Sequence, residues 1–208
     1  MKPNPRNAPG MVRIVGGRWR GTRLAVPSLP GLRPSSDRVR ETLFNWLMPM
    51  LPGARVVDLF AGTGALGLEA VSRGAAHATL VECAPLLAAL LEDTVQRLSA
   101  HESVAVVRDD ALAWLARQPE AAFDLAFVDP PFDAGLWPRV LPLLFPRIAP
   151  GGWLYVESPA GHVPALAPSQ WRLHREGGTR DVRYAVYRAL VHACADTLGR
   201  DQPAAAIE

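Results

Sequence analysis

Gly62-Thr63-Gly64-Ala65-Leu66-Gly67 repeats the pattern GxGxxG, and Glu82 follows Gly62 by 20 residues. Glycines so spaced let backbone N–H groups approach a ligand closely, and a carboxylate at that distance suits the two hydroxyls of a ribose. The combination fits any adenosine cofactor, a nicotinamide dinucleotide included. Asp58, four residues before Gly62, discriminates. At a strand end its carboxylate faces the N-terminus of the next helix. A pyrophosphate there would meet a like charge, whereas the α-ammonium of a methionine moiety would meet an opposite one. The other reading of Asp58 is a hydrogen bond to the loop's own amides. The expected cofactor-binding set is Asp58, Phe60, Ala61, Gly62, Thr63, Gly64 and Glu82, completed by Asp110 and Ala111. Asp110 would accept from an adenine amino group, and Ala111 would offer its N–H to a ring nitrogen. Asp109 or Asp110 could equally cap the helix that follows.

Asp129-Pro130-Pro131-Phe132 lies 71 residues after Asp58. An exocyclic amine on a nucleobase is a poor nucleophile because its lone pair is delocalised into the ring. Two acceptors, the Asp129 carboxylate and the Pro130 carbonyl, would take its two N–H bonds and favour a pyramidal nitrogen aimed at an electrophilic methyl carbon. Proline suits the turn because it fixes φ and withdraws its own donor. Acceptance by a charged oxygen also stabilises positive charge as it develops on nitrogen. Phe132 would stack on the base. Asp129, Pro130, Pro131 and Phe132 are therefore the expected catalytic set, with S-adenosylmethionine as methyl donor and a flipped-out nucleotide as acceptor.

The elements that must position these groups follow from periodicity. Short strands at 12–15 and 23–26 flank glycines and form a ribbon. A helix over 37–48, capped by Ser36 or Asp37, carries Val39, Leu43, Trp46 and Leu47 on one face. From residue 55 strands at 55–60, 78–82, 104–107, 123–128 and 153–157 alternate with helices ending near 73, 99, 117 and 148. Two last strands, at 171–175 and 183–188, are separated by Gly177-Gly178 and pair antiparallel. Such alternation gives a mostly parallel, doubly wound sheet whose ligands sit at the carboxyl ends of the strands. The polar residues singled out above fall at those ends. The expected organisation is a disordered stretch at 1–11, a basic extension at 12–52, a catalytic domain at 53–190 and a tail at 191–208.

Residues 1–40 hold nine Lys or Arg against one acid, a net of +8, which leaves −6 on the remainder. A basic arm on an acidic body is a footprint of a polyanionic partner. Arg13, Arg18, Arg20 and Arg23 would grip phosphates with Trp19 stacking a base, although Trp19 could instead pin the ribbon to the domain. Arg33 and Arg38 would line the mouth of the site or pair with Asp37 and Glu41. Cys83 and Cys194 stand 111 positions apart and match no metal or redox spacing, and the five histidines are scattered. No metal, membrane span or secretory signal is expected. A reduced, cytoplasmic monomer is the reading that remains.

The chain resembles the bacterial small-subunit ribosomal RNA methyltransferase D family over roughly residues 12–190. The likeness rests on Arg13-Ile14-Val15-Gly16-Gly17-Arg18-Trp19-Arg20-Gly21, on Gly31-Leu32-Arg33-Pro34 followed by Asp37-Arg38-Val39-Arg40-Glu41-Thr42-Leu43-Phe44-Asn45-Trp46-Leu47, on the stretches around Asp58 and Asp129, and on Tyr155-Val156-Glu157-Ser158. The resemblance implies a seven-stranded class I methyltransferase sheet with a reversed last strand, S-adenosylmethionine as donor, an N-terminal extension used for RNA, and guanine N2 of 16S rRNA as target. Asp110 stands where relatives often carry Asn. On the residues alone, adenine N6 is a rival target amine, and a nicotinamide-dependent oxidoreductase is a rival class that equilibrium binding of the two cofactors would separate.

Overall fold

The computed structural model describes residues 10–27 and 36–190. Residues 1–9 of the stretch expected to be disordered, residues 28–35 and the tail at 191–208, and with them Arg33 and Cys194, lie outside the described residues. An antiparallel ribbon of β1 (Gly10–Arg13) and β2 (Arg23–Val26) precedes α1 (Asp37–Leu47). Then come β3 (Arg55–Asp58), α2 (Ala65–Ser72), β4 (His77–Val81), α3 (Pro85–Arg97), β5 (Val104–Val107), α4 (Ala111–Leu115) and β6 (Phe123–Val128). The chain closes with α5 (Trp137–Leu144), β7 (Ile148–Pro159), β8 (Trp171–Gly178) and β9 (Val182–Ala189). The main sheet has seven strands in the order β5-β4-β3-β6-β7-β9-β8. Its parallel pairs run from β5 to β7, and β9 is antiparallel to both its neighbours. This is the mostly parallel, doubly wound sheet with a reversed last strand that the sequence implied.

Alternate residues of each central strand go to opposite faces, so both faces are apolar and both are covered. Val56, Phe127 and Tyr155 face one core with the ribbon, α1, α2 and α3, where Ile14, Leu43, Phe44 and Leu68 are fully buried. Val57, Ala126 and Val156 face the other core with α4 and α5, filled by Trp114, Trp137, Val140 and Leu144. Ser36 caps α1, its hydroxyl accepting from Val39 N at 3.3 Å. In the expected face of α1, Leu43 and Leu47 are fully buried, Phe44 joins them, and Val39 and Trp46 are partly buried.

Four local differences from the sequence reading have physical causes. The ribbon starts at Gly10 rather than residue 12, because Gly10 and Met11 pair with Val26 and Ala25. Strand β7 begins before Gly151-Gly152 because the two glycines sit within it beside a register shift. A Cβ on Gly152 would lie 2.8 Å from the Ala149 carbonyl oxygen, so only glycine passes there. Gly177-Gly178 likewise belongs to β8 rather than to the turn, and a Cβ on Gly177 would fall 2.6 Å from the Tyr184 ring that lies across it. Helix α5 stops at Leu144 and continues as a 3₁₀ turn to Arg147, since Pro142 and Pro146 withdraw amide donors.

The ribbon is bonded to α2 through main-chain groups. Glu69, inaccessible to solvent, accepts from Val15 N and Gly16 N, each at 2.7 Å, and from Arg73 Nε at 2.6 Å. Ser72 donates to the Gly16 carbonyl at 2.6 Å and accepts from Trp19 N at 2.9 Å, while its own carbonyl receives Arg18 N at 2.8 Å. Hydrogen bonds to a charged acceptor contribute about 1.5–3 kcal/mol each, so this seam is worth several kilocalories. Gly17 makes the approach feasible. Its φ is +73°, and a Cβ there would stand 1.8 Å from the Ser72 carbonyl oxygen.

Gly17→Ala should therefore destabilise the protein by roughly 3 kcal/mol or more, through backbone strain plus a steric clash. Gly21→Ala has a similar φ, +85°, but nothing lies within 4 Å of its Cβ, so it should cost only about 1 kcal/mol. Denaturant unfolding of both variants checks this, and equal losses would refute a role for the close approach.

Candidate active site

The five parallel strands end at one edge, and each delivers an acidic side chain to it or just beyond. In spatial order these are Asp110 after β5, Glu82 after β4, Asp58 at the end of β3, Asp129 after β6 and Glu157 in β7. Neighbouring strands are about 4.8 Å apart, so the row from β5 to β6 spans roughly 14 Å, the length of a nucleoside with a side arm. The order reverses between β3 and β6, where the doubly wound sheet opens for a ligand.

The turn after β3 is folded by its own acids. Asp58 is buried and accepts from Gly67 N at 3.0 Å and from the Phe60 amide. Burial pushes its carboxyl up to about 7, with the nearby Glu82 charge acting in the same direction and the two amides opposing it. The sequence left Asp58 between a ligand contact and a bond to the loop; the second of these contacts is present. Gly62 and Gly64 adopt left-handed φ values of +54° and +76°. Gly67 admits Leu80, whose Cδ2 would stand 2.1 Å from a Cβ there, so helix and strand pack closely. The Asp58 carboxyl at the head of α2 offers an acid where a pyrophosphate would need a positive charge.

Glu82 lies across this turn. Its oxygens accept from Gly62 N at 2.9 Å and from Ala84 N at 2.8 Å. A carboxylate oxygen has two lone pairs, so each keeps one for a vicinal diol. Asp110 caps α4 through Ala113 N at 2.9 Å, and Asp109 accepts from Asp110 N and pairs with Arg117. The cap leaves Ala111 N at the first helical position, where no intrahelical partner exists. Phe60, Ala61 and Thr63 complete the turn, which Ala61 N ties to the Val81 carbonyl at 3.0 Å. A cavity of about 530 Å³ opens beside Gly62 and Thr63, between Arg23 of the ribbon and Leu87, Leu91 and Arg97 of α3. The donor set fits a nucleoside carrying a cationic arm.

On the other side of the reversal, Asp129 is held well above the usual carboxylate range. Burial is the first cause, and the charges of Glu157 and Asp58 add to it. It nevertheless remains partly exposed at the sheet edge. Pro130 is buried, Pro131 is exposed and opens a 3₁₀ turn over Phe132–Ala134, and Gly135 reverses the chain with φ +55°. The half-buried Phe132 ring lies 5.9 Å from Trp137, which stands 5.0 Å from the exposed His162.

The arginines expected to grip RNA divide into two groups. Arg13 pairs with Asp37 at 2.7 Å and Arg18 donates to Ser103 at 2.9 Å while lying 4.3 Å over the Trp19 ring, though both remain exposed. Arg20, Arg23 and Arg38 are exposed, and Asp37 pairs with Arg13 and Arg40 rather than with Arg38. Trp19 packs against the core under Arg18. Sequence reasoning missed two groups. Glu69 reads as the lone charged residue of an otherwise apolar helix, and only the chain brought back from residues 15–19 makes it a receptor. Glu157 and Tyr155 read only as part of a motif, although Asp129 at one strand end signals that the adjoining strand end is part of the site.

Among the described residues no helix is long and apolar enough to cross a membrane, and no group of three His, Cys, Asp or Glu side chains is placed to hold a metal.

The family model described as Conserved hypothetical protein 95 matches residues 12–188. "Ribosomal RNA small subunit methyltransferase D" of Escherichia coli K12 is 45% identical over 193 residues, spanning 90% of this chain and 94% of the relative. The protein of the same description from Haemophilus influenzae is 40% identical over 186 residues, 88% of this chain and 96% of its own. The solved structure of yhhF from Escherichia coli superposes with a TM-score of 0.77 at 42% identity, over 88% of this chain and all of that one. With both the reach of the family model and the likeness to full-length relatives in agreement, the chain belongs to the small-subunit ribosomal RNA methyltransferase D family.

Proposed function

We propose that the protein transfers a methyl group from S-adenosylmethionine to the exocyclic N2 of a guanine in small-subunit ribosomal RNA. The observation that carries this reading is the continuity of one strand-end edge. A site built for a nucleoside with a cationic arm adjoins, across the β3–β6 reversal, a turn of acceptors beside an aromatic ring. The relatives' names supply the RNA, and the exposed arginines of the ribbon supply the charge to hold it.

When bound, S-adenosylmethionine presents a methyl carbon made electrophilic by its sulfonium. Glu82 takes the ribose hydroxyls on its remaining lone pairs, Ala111 N–H and Asp110 address the adenine, and Asp58 fixes the turn while offering negative charge to the ammonium. Asp129 and the Pro130 carbonyl accept the two N–H bonds of the target amine and turn its lone pair toward the methyl carbon. With that donor held there, the amine nitrogen would take its methyl group, and the electron pair of the broken C–S bond would stay on sulfur. One N–H proton then leaves the nitrogen, restoring a neutral amine. Positioning supplies most of the acceleration, because an aligned in-line geometry replaces a bimolecular encounter.

Phe132 stacked on the base contributes about 1–3 kcal/mol, comparable with the few kilocalories needed to extrude a paired base. The pocket thus offsets extrusion without providing net affinity. Affinity comes from phosphate contacts along the ribbon, by Arg20 and Arg23 most directly, with Arg13, Arg18 and Arg38 beside them and Trp19 as their support.

Labelled methyl should pass from S-adenosylmethionine to small ribosomal subunits taken from cells lacking this protein, and digestion should yield N2-methylguanosine by mass spectrometry. Label on adenine N6, or only on DNA, would replace the target assigned here. Asp129→Ala should lose nearly all turnover while binding the cofactor as before. Replacing Arg20 and Arg23 by Ala should lower the slope of log affinity against log salt by about one for each phosphate no longer neutralised, and an unchanged slope would remove the ribbon from the interface.

Asp58 also gives a pH signature. Its folded value of about 7 exceeds that of an unfolded aspartate, so between about pH 4 and 7 the folded state binds more protons. The stability this group contributes is therefore largest below pH 4, falls as pH rises to about 7, and is level above that. Asp58→Asn keeps an oxygen for Gly67 N–H but cannot ionise. Relative to wild type, the variant should gain on the order of a few kcal/mol as pH goes from 4 to 7, read from denaturant midpoints. Parallel curves for the two proteins would show that Asp58 does not titrate in this window.

A further inference from the structure

We infer that the groove between the ribbon and α3 is a second nucleotide subsite. One base of the RNA lies against its apolar walls while Arg23 and Arg97 hold the adjoining phosphates. The inference rests on the reaction proposed above and extends its substrate beyond the target base.

The groove is the cavity of about 530 Å³ that opens beside Gly62 and Thr63. None of Asp58, Glu82, Asp110 or Asp129 lines it, so it is separate from the row of acids at the strand ends. One wall is a face of α3, where Leu87, Leu90, Leu91, Thr94 and Arg97 recur at helical spacing. Leu87 and Arg97 lie about 15 Å apart along the helix axis, so the groove follows the helix away from the glycine turn. The other wall is the outward face of the ribbon. Met11 and Ala25 are partners across the two strands and are exposed, as is Arg23, while Val12, Leu24 and Val26 turn to the core.

The two kinds of wall residue suit the two parts of a nucleotide. Met11 is 59% exposed, and with the leucines of α3 it gives an adaptable apolar slot that a flat ring would dry. Arg97 closes the far end. Its Nη2 lies 3.5 Å from the Arg23 carbonyl and 3.3 Å from Thr94 Oγ1, which fixes the guanidinium and leaves further N–H donors for an anion. Among the described residues neither Arg23 nor Arg97 takes part in an ion pair, whereas Arg13 on the same ribbon face is paired with Asp37. Asp93 is the one acid on the wall. It would repel a phosphate and accept from the amino edge of a base, so the base lies toward Asp93 and the phosphates toward the arginines. The volume falls within the range of about 300–1,000 Å³ that holds one small organic ligand.

The test measures affinity of the full-length protein for deproteinised small-subunit ribosomal RNA against salt, beside turnover on small ribosomal subunits. Arg97→Ala should reduce the steepness of log affinity against log salt by about one. Arg97→Lys keeps the charge but not the planar fork that meets the ribbon, and it should keep the slope. That difference separates a phosphate contact from a loosened ribbon. Ala25→Trp fills the groove without altering charge. It should weaken RNA binding about 10-fold and raise KM for small subunits by a like factor, with melting temperature and cofactor affinity as in wild type. Arg139→Ala, which removes an exposed cation from α5 on the other face of the sheet, is the control and should change neither reading. An unchanged slope in Arg97→Ala, an equal loss of slope in Arg97→Lys, or unchanged RNA affinity in folded Ala25→Trp would overturn the subsite. If wild type methylates no ribosomal RNA yet these variants lose slope and affinity as stated, the proposed function falls and the subsite stands. If wild type is active and the variants bind as it does, the subsite alone falls.

Discussion

A single buried carboxylate joins the two halves of this molecule. Glu69 sits midway along α2, the helix whose first turn carries the glycine loop and whose last turn receives the ribbon. It gathers two ribbon amides and the Arg73 guanidinium, with Arg40 of α1 3.9 Å away. An unpaired ion there would cost several kilocalories, so the ribbon, α1 and α2 must assemble together or not at all. Arg40 in turn reaches Asp37, which also holds Arg13, so the chain of charge runs from the core to the exposed ribbon. The basic extension is thereby fixed rigidly to the element that shapes the glycine turn.

Charge is sorted by position as well as by sequence. Acids line the carboxyl edge of the sheet, one for each parallel strand, while basic side chains cover the ribbon and the start of α1. An acidic edge suits a cofactor that arrives with a sulfonium and an ammonium and leaves having lost the sulfonium charge. The basic ribbon suits a polyphosphate. The same net charge spread evenly would favour neither ligand.

The β/α alternation, the glycine turn and Asp129-Pro130-Pro131-Phe132 were legible in the sequence because each is a local pattern: apolar runs of strand length, helical spacing, or residues whose backbone limits fix a turn. Strands β2, β5 and β6 fall where the pattern set them. Errors arose where glycine served packing rather than turning. Gly152 and Gly177 read as breaks, but each makes room inside a strand for a group that arrives from elsewhere in the chain. Asp58 and Asp110 could be placed at the site but not given a hydrogen-bond partner, since each had two local options of similar strength. Glu69, Ser72 and Glu157 were the least legible. Their partners lie on segments brought near only by tertiary folding, and no spacing rule connects them.

The ribbon's attachment to α2 uses main-chain amides and carbonyls of Val15, Gly16, Arg18 and Trp19 almost throughout, with side chains contributed by α2 rather than by the ribbon. Attachment is thus encoded in the main chain, which leaves the exposed side chains of the same segment to other uses. Outside the glycines and the core-facing Val12, Ile14, Trp19, Leu24 and Val26, ribbon side chains are free to change without loosening the anchor. A family built this way could diversify its substrates by surface change alone while its catalytic half stays fixed.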